Sequence, residues 1–147
     1  MSLTLLFAAT MMAAPTTAET NAIFAAAGGV REGNRWHWCQ DDPVGRMRVD
    51  LYRDLNGDGL VDVIVAEDNA GCRGMTGRAF ALVAQGPKGK WRMLFKSVGV
   101  AEVLDPRAKG IWPDIRIVSH GTCHLVVRWN GRAYVDHRRE YLGKPCR

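Results

Sequence analysis

Apolar and polar positions alternate along most of this chain, the period expected of strands with one buried face. Met47-Arg48-Val49-Asp50-Leu51-Tyr52 alternates, and Leu60-Val61-Asp62-Val63-Ile64-Val65 is rich in β-branched residues, so each predicts a strand. Phe80 to Ala84 and Trp91 to Phe95 predict a pair joined across Gly86-Pro87-Lys88-Gly89. Trp36 to Cys39, Val100 to Leu104 and Ile115 to Val118 predict three shorter strands. Asp41-Asp42-Pro43 predicts a turn, because Pro43 has no amide to give to a central ladder. Leu125 to Trp129 and Ala133 to His137 flank Asn130-Gly131, a dipeptide suited to a type I′ hairpin turn. Helical character is confined to Glu19 to Ala27, Ala-rich and stopped by Gly28-Gly29. The expected fold is mainly β: a single antiparallel β-domain with a short N-terminal helix, an α+β arrangement being the other reading.

One stretch between two of these strands carries candidate chemistry. In Asp54-Leu55-Asn56-Gly57-Asp58-Gly59-Leu60-Val61-Asp62, side-chain oxygens fall at loop positions one, three, five and nine. Gly59 at position six suits a sharp turn, and Leu60 at position seven offers its carbonyl. Asp54, Asn56, Asp58, Leu60 and Asp62 thus form an all-oxygen ligand set for Ca²⁺. An EF-hand would need flanking helices and a Glu at position twelve, where this chain has Val65. The expectation is a strand–loop–strand calcium loop, against the simpler reading of an Asp/Asn/Gly-rich turn without metal.

The chain has 147 residues, enough for one domain with a real core, and five Trp suit a compact β-rich interior. The net charge of +5 favours anionic neighbours such as phosphate groups, acidic glycans or a lipid surface. Leu3 to Ala14 is an apolar run followed by Pro15-Thr16-Thr17-Ala18, as in a signal peptide, although no Lys or Arg precedes it. The run is short for a transmembrane helix. Cleavage is expected after Ala18, with Ala14 as the second choice, giving a signal peptide over 1–18 and one domain over 19–147. Export to the periplasm or outside the cell would place Cys39, Cys72, Cys123 and Cys146 in an oxidising compartment. Four cysteines allow three pairings, of which Cys39–Cys72 and Cys123–Cys146 are favoured. The first would clamp the unit around the calcium loop, and the second would pin the tail to the final hairpin.

Several motifs occur together in order: Asp54 to Asp62, Cys72-Arg73-Gly74-Met75-Thr76-Gly77, Trp112-Pro113-Asp114-Ile115, Cys123, Arg128-Trp129-Asn130-Gly131 and Gly143-Lys144-Pro145-Cys146-Arg147. With them the chain resembles a group of small exported proteobacterial proteins that carry an FG-GAP-like Asp-rich loop. The resemblance runs from about Ala22 onward. It implies an exported β-fold and supports calcium-loop roles for Asp54, Asn56, Asp58 and Asp62. The chain departs from that pattern at Ser119-His120-Gly121-Thr122-Cys123-His124.

Other chemistries are weaker. Zinc would draw on His120, Cys123 and His124, with His37 and Cys39, but the spacing matches no familiar finger or knuckle. No nucleophile elbow, phosphate-cradling glycine loop or zinc-protease helix occurs. A small periplasmic hydrolase would have to assemble His124, His137 and Asp114 as its acid–base set. Arg128, Arg132, Arg138 and Arg139 give the C-terminal region a basic surface. Nucleic acid is a poor fit, because Trp129 and Tyr134 are needed in the hairpin and export separates the chain from it. The expected function is non-enzymatic: an exported, calcium-stabilised domain that binds a protein or an anionic envelope component, inhibitor- or immunity-like in one version.

Overall fold

The structure is a computed structural model that describes residues 13–40, 44–69, 72, 74 and 77–147. Most of the expected signal segment, the turn at 41–43 and parts of the loop at 69–77 lie outside the described residues. Helix α1 spans Thr17–Ala26 and is followed by eleven described strands. They are β1 (Val30–Glu32), β2 (Arg35–His37), β3 (Met47–Arg53), β4 (Asp62–Asp68), β5 (Arg78–Gln85), β6 (Trp91–Val98), β7 (Val100–Val103), β8 (Ile115–Val118), β9 (His124–Trp129), β10 (Tyr134–Tyr141) and β11 (Lys144–Pro145). The fold is mainly β with antiparallel sheets and one short N-terminal helix, as the alternation predicted.

The strands divide into a four-stranded sheet, β3-β4-β5-β6, a five-stranded sheet, β11-β10-β9-β8-β7, and the β1-β2 ribbon. The two larger sheets pack face to face around Ile64, Phe80, Leu82, Ile115, Val127 and Tyr134. The other face of the four-stranded sheet buries Val63, Val65, Ala81 and Val83 under Ile23, Phe24 and Ala27 of the helical segment. That explains why β4 and β5 are almost continuously buried: each is covered on both faces. Trp36 meets Phe24 edge-on at 6.3 Å and donates to Asn21, while Trp38 donates to the Ala27 carbonyl. The polar ends of these rings thereby lock the helix onto the ribbon.

The helix is short because both of its ends are specified locally. Thr16 caps it, accepting from the Glu19 amide while Glu19 accepts from the Thr16 amide. At the other end Gly28 has φ +76°, and the Gly28 and Gly29 amides return to the Ala25 and Phe24 carbonyls. That is a Schellman stop. Helix α1 thus begins two residues before the expected Glu19, inside the segment that cleavage after Ala18 would remove.

The chain passes from one sheet to the other at Gly99, between β6 and β7. Its φ is +133°, and a Cβ there would lie 2.8 Å from both Ile117 Cγ2 and the Val118 carbonyl oxygen. Only glycine lets the β6–β7 junction pass this close to β8.

The last hairpin forms, but its turn chemistry differs from the expected type I′. Asn130 does not take the positive φ that a type I′ turn requires at both central residues. Its side-chain oxygen instead accepts from the Arg132 and Ala133 amides, each at 2.9 Å. The two-residue turn with positive φ at both centres is Leu142-Gly143, at φ +50° and +74°, joining β10 to β11.

Candidate functional site: the Asp54–Asp62 loop and the outer face of the second sheet

The loop joins β3 to β4, as the strand–loop–strand reading requires. Its side chains turn inward onto its own backbone. Both carboxylate oxygens of Asp54 are used: the Gly57 amide donates to one at 2.7 Å, the Gly59 amide to the other at 2.8 Å. Asn56 accepts from the Asp58 amide at 3.1 Å, and Asp58 from the Leu60 amide at 2.8 Å. Asp62 accepts from the Leu55 amide at 2.8 Å through Oδ2. These bonds close a turn without any other group. Among the described residues, no set of three His, Cys, Asp or Glu side chains converges as a metal site.

One acceptor remains open. Asp62 is 1% exposed, and its Oδ1 is buried without a hydrogen-bond partner. Burial pushes its carboxyl up to about 7, with the charges of Asp58 and Asp54 adding to the rise. A buried carboxylate among like charges is unfavourable unless it is protonated or joined by a cation. The loop's oxygen donors and the open Oδ1 are of the kind a hard divalent cation takes, although the carboxylates do not converge on one point.

The five-stranded sheet turns its other face outward, and there the basic residues meet. Arg128 on β9 grips Asp114 with two parallel bonds of 2.9 and 2.8 Å. Arg138 on β10 reaches the same carboxylate at 3.0 Å, and Arg107 stands 3.7 Å away. Arg138 also donates to Glu140, Glu140 accepts from Arg116, and Arg116 reaches Glu102 on β7. The result is one ladder of alternating charge across β7, β8, β9 and β10. Asp114 is held well below the usual carboxylate range, first by its bonds with Arg128 and then by Arg138. Of the four arginines expected at a basic surface, Arg128 and Arg138 therefore belong to the ladder. Arg132, on the hairpin loop, and Arg139, on β10, project as exposed residues.

The acid–base set of the hydrolase reading is not assembled. Asp114 is clamped and ionised. The β9–β10 register puts His124 opposite Glu140, and His137 falls on the bulge between Asp136 and Arg138. His124 instead lies 6.4 Å from the Tyr141 ring. The sulfurs a zinc site would need are bridged, Cys39 to Cys72 and Cys123 to Cys146. These are the two pairs favoured from the sequence, and they are consistent with an oxidising compartment. No described helix is long and apolar enough to cross a membrane.

The role of Asp114 was missed from the sequence, where it reads as a turn residue after Pro113. Its signal would have been Arg128 and Arg138, which strand alternation turns onto the outer face of β9 and β10. No protein-family model, curated protein or solved structure matches the chain.

Proposed function

We propose that this protein is an exported, non-enzymatic binding domain whose partner is an anionic macromolecule of the cell envelope. The observation that carries the reading is the outer-face ladder, in which Arg107, Arg116, Arg128 and Arg138 stand against Asp114, Glu140 and Glu102, one positive charge in excess. Guanidinium groups held in place by an internal anion lose little freedom on meeting a second one, which favours recognition. Arg132 and Arg139 are exposed and add further positive charge to the β9–β10 hairpin. Two disulfides and two packed sheets make the scaffold rigid.

Calcium belongs to this proposal as a structural ion. Asp54, Asn56, Asp58 and Asp62 would hold it through side chains, and Leu60 through its carbonyl. When bound, it would neutralise the acidic loop and satisfy Asp62. The support is the buried, unpartnered Oδ1 of Asp62 together with the all-oxygen donor set.

The test is capture of envelope components on immobilised mature protein, at low and high salt, with wild type and an Arg132→Glu/Arg139→Glu variant. Retention that falls with salt and with charge reversal, at nearly unchanged Tm, supports the reading. Turnover of an envelope substrate by the purified protein, abolished by His124→Ala or His137→Ala, overturns it.

A further inference from the structure

Leu142 is out of place by every local rule. It is the one non-glycine residue with positive φ among the described residues, and it is 81% exposed. The left-handed region is costly for a residue with a Cβ, and type I′ turns favour Asn, Asp or Gly at this position. Leucine there contributes neither turn chemistry nor core packing to the folded chain. Backbone strain of this kind clusters where a site makes use of it.

Its surroundings form a site. A depression of about 200 Å³ on the outer face is lined by Glu102, Arg116, Val118, His124, Tyr141 and Leu142. Tyr141 is 44% exposed, so ring and leucine offer adjoining apolar surface. His124 Nδ1 is buried there without a hydrogen-bond partner. The Cys123–Cys146 bridge ties the residue before β9 to the residue after β11, and the Cys146 amide bonds the Arg139 carbonyl. The ribbon tip is therefore held in place before any partner arrives. Exposed Lys144, paired with Tyr141, and exposed Arg147 stand on the same ribbon, whereas the ribbon's carboxylate, Glu140, is already taken by Arg116 and Arg138.

We infer that the β10–β11 tip is an anchor for a protein segment that carries an apolar side chain flanked by carboxylates. The apolar side chain enters the depression against Tyr141 and Leu142, and the carboxylates meet Lys144 and Arg147. Tyrosine and arginine at a preorganised, partly apolar pocket are the composition of an interface hot spot. An acidic flank follows from charge complementarity. This inference rests on the binding-domain reading and adds the partner's class and the place where it docks.

The experiment is an NMR titration of the full chain with a capped hexapeptide, Leu-Phe flanked on each side by two Glu. A second peptide replaces Leu-Phe with Gly-Gly, and vesicles of anionic lipid form a third arm. The expected result is chemical-shift change centred on His124, Tyr141, Leu142 and Lys144, with the Gly-Gly peptide at least tenfold weaker. Leu142→Asn should weaken the first peptide about tenfold while raising Tm by a few degrees, because it removes the left-handed strain. Such opposite signs would not come from a merely structural leucine. Equal binding of both peptides, or of wild type and Leu142→Asn, overturns the anchor and leaves the basic-surface reading standing. Binding to vesicles but not to peptides assigns the surface to lipid and overturns the anchor. Binding to none of the three overturns both.

Discussion

Arg128 holds Asp114 by two parallel hydrogen bonds, 2.9 and 2.8 Å long, across the outer face of β8 and β9. Asp114 itself is 4% exposed. A buried carboxylate gripped in this way is fixed in one charge state, so it acts as a positioning anion for the arginines around it.

The pH dependence follows from the sign of that shift. Asp114 lies below its ordinary value of 3.8, and Glu140 below 4.5, the latter through Arg138 first. A depressed carboxyl contributes stability that is present above the unfolded value and lost as pH falls through the folded one. The wild type should therefore lose melting temperature below about pH 4. Asp114→Asn should lower Tm at neutral pH by on the order of 5 °C and flatten the acid limb. Thermal melts from pH 2 to 7 test this; an unchanged acid limb in the variant would show that the clamp does not govern it.

Calcium should raise the melting temperature. At an affinity of about 10⁻⁴ to 10⁻³ M, 10 mM calcium would add roughly 1.4 to 2.7 kcal/mol. Asp58→Ala should remove the response. Asp62→Asn should remove it too, yet raise stability in chelator, because it takes an unpartnered charge out of the interior. Differential scanning calorimetry with and without chelator separates these outcomes. No calcium-dependent shift in the wild type would leave the loop a simple turn.

The strands and their faces were legible because a period of two survives wherever a sheet has one wet side. The turn between β3 and β4 was legible because its Asp, Asn and Gly residues interrupt two apolar runs. The Asp114 clamp was not: Arg128 and Arg138 lie 14 and 24 residues away and reach it only through strand pairing. Asn130-Gly131 looked like the tight turn, but the side chain of Asn130 caps the loop amides instead. Leu142-Gly143 took the type I′ conformation with a residue that no turn preference would select. The passage between sheets at Gly99 left no signal beyond a glycine between two strands.

Thr16 gives a prediction about processing. The Thr16–Glu19 motif is a capping box readable in the sequence, yet an expected cleavage after Ala18 cuts through it. A chain starting at Glu19 loses the cap and with it about 1 kcal/mol. A chain starting at Pro15 keeps it. Comparing the two by urea denaturation should show that difference, with Thr16→Ala in the longer chain reproducing the loss. Equal midpoints would mean that packing of Ile23 and Phe24 alone holds the helix.

Gly99 tests how the two sheets are joined. Its φ of +133° is strained for any residue with a side chain, and a Cβ would press on Ile117 Cγ2 and on the Val118 carbonyl oxygen. Ile117 is a core side chain, and the carbonyl belongs to β8, so neither can yield without shifting the sheet. Backbone strain and overpacking together should make Gly99→Ala cost about 2 to 4 kcal/mol. Gly131→Ala is the control: its φ is +99°, but nothing lies within 4 Å of the added Cβ, so it carries strain without the clash. The difference between the two variants, read from urea midpoints at constant slope, isolates the close approach. A Gly99→Ala protein no less stable than Gly131→Ala would mean that the strand bends around the added methyl, and that the junction between β6 and β7 is looser than its contacts imply.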